Sequence, residues 1–220
     1  MDLKSKIILI SGPTASGKSK FAIQLAKKIN GEVINADSMQ IFKEFTVLSS
    51  RPTLNQTKKV KHHLYGIITV KKHFSAGEWL KKVKIKINTC VKKKKIPIIV
   101  GGTGLYFNTI TKGISKIPDI DLKTRFKVRN LYKRVGLKAF YQRLIKLDPK
   151  AKNKILPTDS QRVQRAYEVK LKTKKSLFDW FANTKSDFLD FDIRKIFLDI
   201  PISKLDNRHN LSSLQLTFVF

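Results

Sequence analysis

Gly12, Pro13, Thr14, Ala15, Ser16, Gly17, Lys18 and Ser19 form a G-x-x-x-x-G-K-S run. These residue types at this spacing suit the binding of a di- or triphosphate. Two glycines let the backbone curl until successive N–H groups face an anion. A helix beginning after the run adds the positive end of its dipole, Lys18 supplies a cation, and the Ser19 hydroxyl can reach a magnesium ion. The alternative is a chance Gly-rich turn. The context argues against it, because the apolar residues Ile7, Ile8, Leu9 and Ile10 precede the run and a helix-like stretch follows.

Three further clusters carry chemistry. Asn35, Ala36, Asp37, Ser38, Met39 and Gln40 follow a second apolar run. An acid there can be a magnesium ligand, a general base or a helix N-cap, and the Gln40 amide suits base-edge recognition. Gly101, Gly102, Thr103 and Gly104 make another Gly-rich strand-to-helix turn, in which Thr103 can donate to an anionic oxygen. Gln161, Arg162, Val163, Gln164 and Arg165 open a helix that Asp159 or Ser160 can cap. At 100° per residue, Gln161, Arg165 and Glu168 share one face, with Arg162 flanking it, and Val163, Ala166 and Tyr167 share the opposite one. Such a polar face fits RNA contacts or a salt-bridged solvent face equally. Adjacent His62 and His63 would point to opposite sides of a strand and cannot form a metal pair with each other. Cys90, Trp79, Trp180 and most of the 14 Phe are expected in the core.

These residues need a scaffold, and the apolar periodicity supplies one. Residues 6–11, 32–35, 96–100 and 193–200 read as strands, with a weaker one at 64–69; residues 17–29 and 77–95 read as helices. The alternation predicts an α/β fold of the P-loop NTPase-like type, a parallel sheet with helices on both faces. Ligands of such sheets sit beyond the carboxyl ends of the strands, where residues 14–19, 37–40 and 101–103 should meet. Residues 1–116 are expected to form this core, 117–185 a small basic helical insertion, and 186–220 the return to the core.

Composition narrows the class. The chain has 220 residues, 46 Lys+Arg against 16 Asp+Glu, and a formal charge of +30. Such a balance predicts a polyanionic partner, most simply nucleic acid. Only nine of the 46 cations are Arg, so a compositional bias toward Lys accounts for part of the excess, and runs such as 92–95 can be solvated helix ends. No apolar run approaches the ~20 residues of a membrane span. The start leads directly into a strand, so no targeting peptide is expected. One cysteine excludes an internal disulfide and a Cys-rich zinc site, and a reducing cytoplasm is the expected location.

In order and spacing, residues 12–19, 35–40 and 100–106, together with Asp148-Pro149 and Pro157 through Ala166, resemble tRNA dimethylallyltransferases, a likeness running from about Ile7 to Pro201. The resemblance implies transfer of a dimethylallyl group from dimethylallyl diphosphate to N6 of the adenosine 3′-adjacent to the anticodon, with Mg2+. It implies that Gly12, Pro13, Thr14, Ala15, Ser16, Gly17, Lys18 and Ser19 hold the diphosphate rather than hydrolyse ATP, with Ser19 at the metal. It makes Asp37 the general base and puts Thr103 at the reaction centre. Asp37, Ser38, Met39, Gln40, Thr103, Arg125, Gln161, Arg162, Val163, Gln164 and Arg165 become tRNA contacts, of a protein expected to be monomeric.

The chain departs from the family in places. Phe42 stands where relatives usually have Tyr, and Ser49-Ser50-Arg51-Pro52 is a variant loop. After Arg208 the family continues with a further diphosphate-binding Arg and several helices. This chain reads Leu211-Ser212-Ser213-Leu214 and ends at Phe220, which leads us to expect a truncated or frameshifted end. Other acceptors would make it an adenylate isopentenyltransferase or a nucleotide kinase, and loss of the end could leave an RNA-binding remnant. The Pro13-Thr14-Ala15-Ser16 filling and the Gln161 to Arg165 run favour tRNA.

Overall fold

The computed structural model describes residues 5–46, 49 and 51–200. Apolar strand residues alternate between two covered faces, and this fixes the architecture. Strands β1 (Lys6–Ser11), β2 (Gly31–Asn35), β3 (His62–His63), β4 (Ile96–Val100) and β5 (Asp192–Phe197) form one sheet in the order β3-β2-β4-β1-β5, and every pairing is parallel. Ile10, Val33, Ile98 and Val100 pack on one side with Ala22, Ile23 and Ala26 of α1 (Lys18–Lys28). Ile7, Leu9, Ile34 and Ile99 pack on the other with Trp79, Val83 and Ile87 of α3 (Ala76–Lys92), and with Tyr106 and Ile110 of α4 (Gly104–Thr111). A strand buried on both faces must be apolar throughout, hence the unbroken runs of β1 and β4. Each such Ile or Leu contributes about 1.5–3 kcal/mol by leaving water.

Local signals set the helix boundaries. Ser75 and Glu78 form a reciprocal capping box at the start of α3, and Thr53 and Gln56 do the same for the short α2 (Leu54–Lys59). Residues 64–69 are not the strand expected from their composition. The ladder stops at His63 because Leu64 turns into the left-handed region at φ 64°, and only Ile68 rejoins the sheet region, through an isolated bridge to Phe42. Among the described residues, Phe140 and Phe188 are the fully buried phenylalanines, while Phe126, Phe181 and Phe197 are exposed. Phe21, Phe42, Phe74, Phe107, Phe178 and Phe191 pack against the core clusters, so most of the described phenylalanines do serve the core.

The chain forms two units, one of Met1–Lys112 with Ser186–Phe220 and one of Gly113–Lys185. The second unit contains α5 (Leu122–Leu147), α6 (Ser160–Thr173) and α7 (Leu177–Ala182). Its own core holds Val128, Phe140, Leu144, Val163, Ala166 and Val169. Asp121 caps α5 through the Thr124 N–H, and Lys172 at the end of α6 pairs with the same carboxylate at 2.7 Å. Gly136, at φ 74° and ψ 168°, breaks α5 into two helical segments. Expectations about residues 201–220, including Arg208, and about Ser50 fall outside the described residues.

Candidate active site

The loop after β1 is built around its own lysine. Gly12 adopts φ 153°, and a Cβ there would lie 2.7 Å from the Leu198 carbonyl oxygen; Gly17 at φ 85° is the N-cap of α1. Ala15 also takes a left-handed conformation, at φ 61°. Lys18 Nζ donates to the carbonyls of Gly12 at 2.9 Å and of Pro13, and stands 3.5 Å from Ser16 Oγ. Burial pushes the Lys18 ammonium below its usual value, and the Asp37 carboxylate pulls it back up. The cation and the acid therefore share one field.

Asp37 leaves the carboxyl end of β2 in a tight turn. Its Oδ1 accepts from the N–H of Met39 at 2.8 Å and of Gln40 at 3.4 Å. Of the three uses open to it in sequence, the helix N-cap is not the one found: Oδ1 closes a turn, and the next helix begins only at Leu54. Among the described residues nothing donates to Oδ2. That oxygen lies 3.9 Å from where a Cβ on Gly102 would sit. Gly101 is required by close approach, since a Cβ there would meet the Ala36 carbonyl oxygen at 2.1 Å. The turn after β4 is joined to this acid-bearing turn by Thr103. Its N–H donates to Ala36 O at 3.2 Å, and its Oγ1 accepts from the Ser38 N–H at 2.9 Å.

A cavity of about 410 Å³ opens at these strand ends, lined by Thr14, Ala15, Ser16, Gly17, Lys18, Ser19, Asp37, Met39, Gln40, Ser49, Tyr65, Val100 and Gly101. It brings together most of the loop and the acid. Gly12 and Pro13 are held beneath Lys18 by its hydrogen bonds, and Ser38 and Thr103 are bonded to each other beside Asp37. The Gln40 amide is partly committed, because Nε2 donates to the Ser49 carbonyl at 2.7 Å. The Ser19 hydroxyl gives this cavity a hard oxygen donor, which fits Mg2+.

Arg125, Gln161, Arg162, Val163, Gln164 and Arg165 belong to the second unit and do not line the cavity. Arg125 Nε donates to Ile120 O at 3.0 Å. Arg162 pairs with Asp159 at 3.1 Å, Gln164 Nε2 donates to Ser160 O, and Arg165 pairs with Glu168 at 3.7 Å. Asp159 supplies the helix cap. Val163 is 0% exposed, as its place on the apolar side of the helix requires. One expectation is corrected: Glu168 is buried rather than on an open polar face. The helical period explains Val163, which stands with Ala166 on the apolar side.

Sequence reasoning passed over two residues of this region. Tyr65 lies in an apolar run that gave no hint of a cavity wall; burial, with the Asp37 carboxylate nearby, raises its phenol and keeps it protonated. Asn35 was visible as part of a motif without a role of its own. His63 is also not a lone core residue. Its Nε2 lies 2.6 Å from Glu32 Oε2, the Cys90 thiol donates to the same oxygen at 3.7 Å, and Lys95 Nζ stands 3.7 Å from Oε1. Glu32, His63 and Cys90 have ligand atoms within 4.8 Å of one another, but each atom is already spent within the cluster and an ammonium shares it. Burial, reinforced by Glu32, pushes the Cys90 thiol up to about 12, which keeps it a thiol.

Known proteins resemble this chain. The family model described as IPP transferase matches residues 40–212. The chain is 54% identical over 211 residues to the tRNA dimethylallyltransferase of Pelagibacter ubique (strain HTCC1062), spanning 96% of this chain and 67% of that protein. It is 42% identical over 197 residues to the tRNA dimethylallyltransferase of Rickettsia bellii (strain OSU 85-389), spanning 89% of this chain and 62% of that one. A eukaryotic dimethylallyltransferase solved acting on tRNA matches with TM-score 0.82 at 30% identity, over 96% of this chain and 53% of that chain. The tRNA isopentenylpyrophosphate transferase from Bacillus halodurans matches with TM-score 0.61 at 30% identity, over 97% of this chain and 66% of that one. The chain thus spans about two thirds or less of the length of these relatives. With a family model covering most of it and a relative sharing more than half of its residues, the chain belongs to the IPP transferase family.

Proposed function

We propose that the chain transfers a dimethylallyl group from dimethylallyl diphosphate to N6 of the adenosine 3′-adjacent to the anticodon of tRNA. One observation carries the reading: a single cavity is lined both by the loop of residues 14–19 and by Asp37. The loop N–H groups and Lys18 bind the diphosphate and stabilise its charge as the allylic C–O bond breaks and the electron pair stays on the leaving oxygen. The target adenine leaves its stack to enter the pocket. Its N6 forms the new C–N bond, and the proton it loses goes to Asp37 Oδ2; such base assistance is worth roughly 10²–10⁴-fold. Thr103 holds the Asp37 turn at the reaction centre through Ser38. Bound through Ser19 and the diphosphate, Mg2+ would supply charge neutralisation of the leaving group.

Ser38, Met39 and Gln40 are assigned to the RNA near the flipped base. Arg125 with Gln161, Arg162, Gln164 and Arg165 is assigned to the RNA backbone, in keeping with the excess of cations. No helix of the described residues is long and apolar enough to cross a membrane; we assign the protein to the cytoplasm as a monomer. The test is transfer of label from dimethylallyl diphosphate to an anticodon stem-loop carrying adenosine 3′ of the anticodon. Label on the loop adenosine N6 is expected. Label on AMP but not on RNA overturns the acceptor, and RNA binding with no transfer overturns the enzyme.

A further inference from the structure

We propose that Asn35 is a positioning residue for this reaction, its amide fixing the Asp37 carboxylate and the Tyr65 wall of the cavity together. The inference rests on the prenyl-transfer reading and deepens it. Asn35 is 0% exposed at the end of β2. Its Oδ1 accepts from the Asp37 N–H at 2.9 Å, and its Nδ2 donates to the Asp37 carbonyl at 3.0 Å. One side chain therefore clamps both backbone polar groups of the residue that carries the base. The same Nδ2 donates to the Leu64 carbonyl at 3.1 Å.

Leu64 is left-handed at φ 64°, a strained backbone for a branched residue that persists only where its surroundings hold it. That twist ends β3 and is followed at once by Tyr65 on the cavity wall. The orientation of the amide is not free. An N–H on one side and two carbonyls on the other allow only the assignment with oxygen toward Asp37 N. The backbone of Asn35 is itself pinned, since Trp79 Nε1 donates to its carbonyl at 2.9 Å and the residue pairs in register with Val100 of β4. Trp79 in turn stacks on Tyr106 with ring centroids 4.2 Å apart. The acid and the Tyr65 wall are thus referred to one rigid point in the sheet. Neither Asn35 nor its amide lines the cavity, so its role acts through Asp37 and Tyr65.

Asn35→Ala and Asn35→Asp test this in the full chain. For both, kcat for transfer should fall about 10- to 100-fold, the range expected when a reacting group is misplaced by about an ångström. The KM for dimethylallyl diphosphate should move less than about threefold, because the phosphate-type loop is untouched. Asn35→Asp keeps the side chain's size but loses the Nδ2 donation to the Asp37 and Leu64 carbonyls, so its kcat loss reads the clamp apart from the cavity that Asn35→Ala leaves. An unchanged kcat, or a KM for dimethylallyl diphosphate that rises as far as kcat falls, overturns the proposal. Backbone amide NMR of the full chain separates this from failure of the reaction itself. If the unaltered chain transfers nothing, the proposed function falls. Displaced Asp37 and Tyr65 amide signals in Asn35→Ala then still uphold the clamp, and unmoved signals overturn it.

Discussion

Lys18 is held over its loop by two carbonyls and feels both its burial and the Asp37 charge. Its replacement should separate chemistry from RNA binding. Lys18→Ala is expected to lower transfer at least about 10²-fold, since it removes a cation from the developing diphosphate charge. Anticodon stem-loop affinity, measured in parallel by anisotropy, should stay nearly unchanged. The Glu32–His63 pair makes a second residue-level prediction, about acid. Burial holds the His63 imidazole below its usual value of 6.5 despite Glu32, so the unfolded chain binds that proton more readily than the folded one. Burial works to raise the Glu32 carboxyl as well, yet His63 and Lys95 outweigh it and leave it below its usual 4.5. Both groups give stability that is present at neutral pH. It declines as pH falls below about 6.5 for His63 and below about 4.5 for Glu32. Urea midpoints should therefore drop between pH 7.5 and pH 5, and His63→Gln should flatten the upper part of that decline.

At the scale of elements, the approach of two strand ends governs the site. Gly101→Ala would drive a methyl group into the Ala36 carbonyl, where backbone on both sides leaves nothing flexible to yield. We expect a loss of about 3 kcal/mol in unfolding free energy by denaturant titration, together with loss of transfer. The elements differ in how openly the sequence shows them. Strands β1 and β4 were legible because burial on two faces demands unbroken apolar runs, and α3 because Ser75 and Glu78 announce its start. The stretch 64–69 looked equally strand-like, but a single left-handed residue diverted it, and that turn depends on an amide 29 positions earlier. The loop of residues 12–19 could be read locally because its shape is set by its own glycines. The Asn35 clamp and the Tyr65 wall could not, because each depends on partners that only the sheet order brings near. Val163 shows the converse case: a motif treated as one contact run is cut by the helical period, which turns every third or fourth residue inward.

For the whole molecule, a charge of +30 over 220 residues predicts a strongly electrostatic hold on the proposed RNA partner. Affinity for the anticodon stem-loop should fall linearly on a log–log plot against salt, as condensed counterions are released. Arg165 is partly exposed and pairs with the buried Glu168 at 3.7 Å. Arg165→Ala should make that slope shallower by about one, and an unchanged slope would show that this face of α6 does not touch phosphate. The pairing of β5 with β1 carries a consequence for synthesis. Lys6 lies opposite Asp192, and Ser11 opposite Phe197. A ribosome must therefore deliver the entire Gly113–Lys185 unit before the first strand to emerge can acquire its last neighbour. Until then the nascent polypeptide exposes an unpaired apolar edge, long-range closure is slow, and the window for self-association is wide. Chains released before residue 192 should accumulate as aggregates rather than as soluble fragments.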